Sequence, residues 1–207
     1  MLQMRELGLM LFAASSLAIT VISLRALAAP VAEVMPHMAL FHDKFAWGFW
    51  GHVLAGPLVL ALAPLQLWTG ARRRWPGLHR ASGRLYAGLV LIGGLAGFAL
   101  AASPLSEASL FARIGFMALA LGWIGATAMG LVLARRGDLA GHRRWMQVSL
   151  ALTFSAVTLR IIMTPLMIAG WTVAETYDVT AWGSWLLNLA ILALWRRRGR
   201  QPSAVTI

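Results

Sequence analysis

The sequence predicts an all-α membrane protein, a polytopic helical bundle of about six transmembrane spans. Three observations predict it. The 207 residues are 59% hydrophobic and only 12% charged, whereas a soluble domain carries about 25% charged residues. The apolar residues gather in runs close to the roughly 20 residues that a bilayer core requires. The charge is confined to short stretches between those runs and to the chain ends.

The first run, Leu7–Ala29, follows Arg5 and resembles a signal peptide. Its continuous part, Leu7–Leu24, is long for a signal-peptide core, and Pro30 would follow the best cleavage point, so a retained helix is expected. The second run, Phe45–Thr69, opens on an interfacial belt of Trp47 and Trp50. The third and fourth are Ala81–Ala102 and Leu110–Leu133. The fifth, Trp145–Ala169, carries Arg160 and then Pro165, which can kink a helix and free a carbonyl. The sixth, Ala181–Trp195, is short and starts as early as Val179 if polar residues are admitted. Together they form one integral membrane domain over residues 1–207.

Charge fixes an orientation. Fourteen of the 18 basic residues fall on one side of a six-span arrangement. They are Arg5; Arg72, Arg73, Arg74, Arg80 and Arg84; Arg135, Arg136, Arg143 and Arg144; and Arg196, Arg197, Arg198 and Arg200. Excess Lys and Arg marks the cytoplasmic side, so both termini are expected in the cytoplasm and the chain in a bacterial inner membrane. Glu33, Asp43, Glu107, Glu175 and Asp178 fall on the other side. A net charge of +11 would suggest nucleic acid in a soluble protein. Confined to short loops, it reads as topology and as contact with anionic lipid headgroups instead. With no cysteine, disulfides, zinc–cysteine sites, iron–sulfur clusters and thiol catalysis are excluded.

Topology does not explain why two basic loops match. ARRRWPGLHR (71–80) and ARRGDLAGHR (134–143) share Ala-Arg-Arg, five residues, then His-Arg, at one constant offset. This points to an internal repeat in which the hairpins of spans two–three and four–five are related. The axis would run along the membrane normal, bringing His79 and His142 to equivalent places.

HRASGRLY (79–86), GHRRWMQVSLALTFSAVTLR (141–160) and GHVLAGPLVLALAPLQL (51–67) resemble the bacterial membrane protein family known as domain of unknown function 2306. The resemblance covers residues 45–169. It implies a polytopic helical bundle and names no activity.

Polar residues within spans are costly and mark candidate sites. Arg160 is the sharpest, read either as a partner of Glu33, Asp43, Glu175 or Asp178, or as a fixed charge for an anionic ligand. His52 should sit at similar depth, and the two are expected to line one polar cavity. On the basic side the candidates are His79 and His142, with Arg80, Arg84, Arg143 and Tyr86 beside them. His37 and His42, five residues apart, do not share a helical face, so a dedicated metal site there has little support. No hydrolase, metalloprotease or phosphate-loop motif occurs.

Two function classes remain. Haem b is held by imidazoles between helices with arginines for its propionates, and quinones use similar polar caps. A cytochrome-b-like or quinone-reactive redox protein fits, with His79, His142 and His52 as candidate iron ligands. The alternative is a non-enzymatic transporter, lipid- or anion-binding module, or assembly factor. Beyond the bilayer, a redox partner and a homo-oligomer both stay open.

Overall fold

The computed structural model describes residues 2–198, with side chains from residue 6 onward. The Arg5 side chain and Arg200, two of the charges used for topology, lie outside the described residues. All regular structure among the described residues is helical. The long helices are α1 (Leu2–Ser23), α4 (Ala46–Leu67), α6 (Pro76–Ala102), α7 (Leu110–Arg135), α8 (Leu139–Ile168) and α9 (Val173–Arg198). Short helices α2 (Val31–Val34) and α3 (Ala39–Lys44) join α1 to α4, and α5 (Thr69–Arg74) joins α4 to α6. Five helices are long and apolar enough to cross a membrane, and α9 matches them in length with a more polar sequence.

Helices run further into the basic loops than hydropathy predicts. The third span starts at Pro76 and the fifth at Leu139, not at Ala81 and Trp145. Hydropathy stops where charge begins, but backbone hydrogen bonding does not. Pro76 occupies the first turn of α6, where a missing N–H is harmless. Asp138 caps α8 by accepting from the Gly141 amide at 2.8 Å. The sixth span likewise covers Val173–Arg198 in place of Ala181–Trp195. The first ends as an α-helix at Ser23 and continues as a 3₁₀ turn over Leu24–Leu27.

Helices α4, α6, α7 and α8 form a ring, each packed on the next, with α8 also touching α4. Thus α6 and α8 face each other diagonally, as do α4 and α7. Helix α1 leans on α4 and α8, joined by Thr20 Oγ1 donating to the Pro57 carbonyl (3.1 Å) and by a Phe12–Phe154 stack. Helix α9 covers α7 and α8. The α4–α6 seam is close because it is small: a Cβ on Gly93 would stand 3.2 Å from that of Ala55. Gly137 and Gly170 take φ of +81° and +95°, letting the next amides close on the Leu133 and Leu166 carbonyls at 3.0 and 3.1 Å.

One end of the ring carries Arg72–Arg74, Arg135, Arg136 and Arg196–Arg198, and is called the basic end below. The far end is covered by residues 24–45, whose Ala26, Val31, Met35 and Phe41 pack on Phe49, Val53 and Leu100.

Candidate functional sites at the two ends

The centre of the ring is polar and closed. Tyr86 of α6 has no exposed surface. Its hydroxyl stands 2.8 Å from Ser149 Oγ and 2.7 Å from Thr153 Oγ1, both on α8. From α7, Trp123 Nε1 donates to Thr153 Oγ1 (2.9 Å), and Thr127 Oγ1 lies 2.7 Å from Ser149 Oγ. Every hydroxyl in this group has a partner, as burial in a low-dielectric core demands. Tyr86, singled out as a ligand candidate, therefore bonds across the bundle. The sequence reading missed Ser149, Thr153, Thr127 and Trp123. The available signal was the pair Ser149 and Thr153, one turn apart in an apolar helix.

The basic-end histidines follow from this contact. Tyr86 and Ser149 are 63 residues apart, the offset of the matched loops. His79 and His142 each lie seven residues, two helical turns or about 10 Å, toward the basic end on the same faces. They consequently lie at one level on diagonal helices, close enough to interact electrostatically. The two are not held alike. His142 Nδ1 donates to the Gly130 carbonyl (2.8 Å), leaving Nε2 without a hydrogen bond among the described residues. His79 Nδ1 is buried with no hydrogen-bond partner. Arg72 and Arg80 act on His79. Arg80, Arg84 and Arg143 are exposed, and none forms an ion pair among the described residues. Arg84 is inside α6 rather than between helices.

At the far end, His52 and Arg160 sit at matched depth, six residues into α4 and eight from the end of α8, about 9 and 12 Å. They act on each other electrostatically. His52 Nδ1 lies 3.1 Å from the Gly93 carbonyl of α6. A Cβ on Gly97 would come within 2.8 Å of that nitrogen, so the imidazole rests in a glycine-lined groove. It is surrounded by protein yet keeps accessible surface. Arg160 donates to the Ala156 carbonyl (2.7 Å) and to Ser23 Oγ of α1 (2.9 Å).

None of the four expected acids pairs with Arg160. Asp43 is 2.8 Å from His42 Nδ1, Glu175 accepts from the Thr172 amide and hydroxyl, and Asp178 accepts from Ser109. Glu33 forms no ion pair among the described residues. Sequence reading also missed Ser23, Arg25 and Tyr177, the latter two within electrostatic reach of Arg160. Nearby His37 is held below the usual histidine range, first by loss of solvent and then by Arg25, against the opposing pull of Glu107. No group of three or more metal-ligating side chains occurs among the described residues, at His37 and His42 or elsewhere.

The family described as "Predicted membrane protein (DUF2306)" matches residues 49–196, well over half of the chain, and the protein belongs to that family. No curated protein and no solved structure matches it.

Proposed function

We propose that the protein is a cytochrome-b-like haem protein of the membrane, in which His79 and His142 would hold the haem. One observation carries the reading: the 63-residue separation that joins Tyr86 to Ser149 across the bundle also relates the two histidines, two turns nearer the basic end. Haem is held by histidine imidazoles, and residues on diagonal helices could supply two.

The donor set fits such a group. A metal-ligating histidine commonly donates its other N–H to a backbone carbonyl, which fixes ring and tautomer. His142 has that arrangement with Gly130. His79 Nδ1 is orphaned and buried, a state that a ligand contact would relieve. The internal repeat, proposed on the same offset, accounts for the difference between them. The position equivalent to Gly130 is Leu67, the last residue of α4, and the chain turns away there. Arg72, Arg80, Arg84 and Arg143 form no ion pair among the described residues and suit the two propionates of a haem, since guanidinium pairs with carboxylate in a planar fork. The closed network around Tyr86 seals the site toward the membrane centre, keeping it at the basic end. Bound haem would supply one-electron exchange. The chain's part would be to present two imidazoles, pair with the propionates and exclude water from the bundle side.

The test is the visible spectrum of protein produced with haem supplementation. A Soret band that shifts on dithionite reduction, at one haem per chain, is expected. It should vanish in His79→Ala and in His142→Ala and survive in His52→Ala. Absence of the band, or its persistence in both end variants, removes the reading.

A further inference from the structure

The far end holds a charge that the basic-end site does not use. We propose that Arg160 anchors a second binding site, for a single anionic oxygen group such as a phosphate or carboxylate, walled by Ser23, Arg25, His52 and Tyr177.

The first argument is direction. An arginine that merely tolerates the membrane snorkels, reaching its head group to the nearer interface. Arg160 is eight residues from the far end of α8, yet its guanidinium binds the carbonyl of Ala156, one turn toward the membrane centre. Its second bond runs sideways to Ser23, which is 7% exposed on α1. The side chain is turned away from water and drawn between α1 and α8.

The second argument is neutralisation. A buried cation is tolerated when paired. No carboxylate pairs with Arg160 among the described residues, and Asp43, Glu175 and Asp178 are engaged elsewhere. Tyr177 and Arg25 both act on Arg160 electrostatically, and Arg25 carries a charge of the same sign. Neither arginine forms an ion pair among the described residues, so the positive charge stands unneutralised.

The third argument is capacity. A guanidinium has five N–H donors, and Arg160 spends two on the protein, leaving three. The Tyr177 hydroxyl makes no hydrogen bond among the described residues and lies within reach of the same charge. His52, with Nδ1 held by Gly93, keeps its other nitrogen free of hydrogen bonds among the described residues. Planar, multidentate donors beside a hydroxyl and an imidazole match phosphate or carboxylate oxygens. A neutral amphiphile would leave the charge excess standing. The short helices over residues 24–45 supply Arg25 and cover this end, so the group enters between them and the bundle.

The group can arrive on an anionic lipid or as a free anion, and one experiment separates the sources. The protein is purified in a neutral sugar detergent. Its thermal midpoint is followed at fixed ionic strength against phosphatidylglycerol in mixed micelles, and separately against inorganic phosphate with chloride as the balancing ion. A saturable rise in wild type is expected. In Arg160→Gln the half-saturating concentration should increase about tenfold to a hundredfold, the loss typical of a charged hydrogen bond. Ser23→Ala and Arg25→Gln should shift it the same way and keep the test usable if Arg160→Gln does not fold. A control change at the basic end, Arg136→Gln, should leave it unmoved. A response to the lipid alone identifies a headgroup, and one to phosphate alone a soluble anion. No saturable response, or one unchanged in all three far-end variants, overturns the proposal.

Discussion

Replacing Thr153 by valine should damage the bundle more than replacing Tyr86 by phenylalanine, although tyrosine is the larger residue. Tyr86→Phe removes one hydroxyl and two hydrogen bonds, to Ser149 and Thr153. Both partners keep others: Ser149 retains Thr127, and Thr153 retains Trp123 and the Ser149 carbonyl. Hydrogen bonds between membrane helices average about 0.6 kcal/mol in double-mutant cycles. The expected cost is therefore about 1 kcal/mol. Thr153→Val keeps the volume but strips the acceptor from Trp123 Nε1. Indole is a donor only, and a buried orphan donor costs about 1–3 kcal/mol. With the lost Tyr86 bond, the sum is about 2–3 kcal/mol. Removing the orphan as well, in Thr153→Val with Trp123→Phe, should recover part of this. The two single effects should exceed the double effect by about 1–2 kcal/mol. Unfolding by SDS in mixed micelles, followed by far-ultraviolet circular dichroism, measures all four proteins. Equal costs for the two single variants, or strictly additive effects in the cycle, would refute the reasoning.

Arg113 donates through Nε and an Nη to the Ala101 and Ala102 carbonyls, both at 2.8 Å, capping the end of α6. Arg113→Leu should lower stability by about 1–3 kcal/mol, read in the same SDS titration, and no loss would deny the cap. Asp138→Ala should cost about 1 kcal/mol through the lost N-cap of α8, whereas Asp138→Asn should cost little. Gly97→Val would drive a side chain against His52 Nδ1; it should weaken anion binding at Arg160 while leaving any haem spectrum intact, and a changed spectrum would mean the ends are not independent. For topology, a membrane-impermeant thiol reagent should reach a cysteine placed at Glu107 from outside intact cells and not one placed at Gly137. The reverse labelling would invert the charge-based orientation.

How much of this was legible in the sequence differs between levels. The spans were, because apolar length is a local property that the bilayer enforces on each segment separately. Their ends were displaced at Pro76, Leu139 and Val173, because a helix continues past the last apolar residue as long as its amides find carbonyls and its cap is right. The matched loops gave the offset that relates His79 to His142, but no local pattern says that equal offsets meet across a bundle axis.

By itself, then, the sequence determined an all-helical membrane bundle, the segregation of arginine to one end, and the polar residues that a membrane protein keeps only for a reason. Tertiary structure alone decided what each does. It made Tyr86 a cross-bundle hydrogen-bonding residue by setting Ser149 and Thr153 within 2.8 Å of its hydroxyl. It left Arg160 without an ion pair among the described residues by sending Asp43, Glu175 and Asp178 to His42, Thr172 and Ser109. Hydropathy is summed along one chain segment, whereas pairing depends on which side chains from different helices share a few ångströms, and that distance is fixed only when the helices pack.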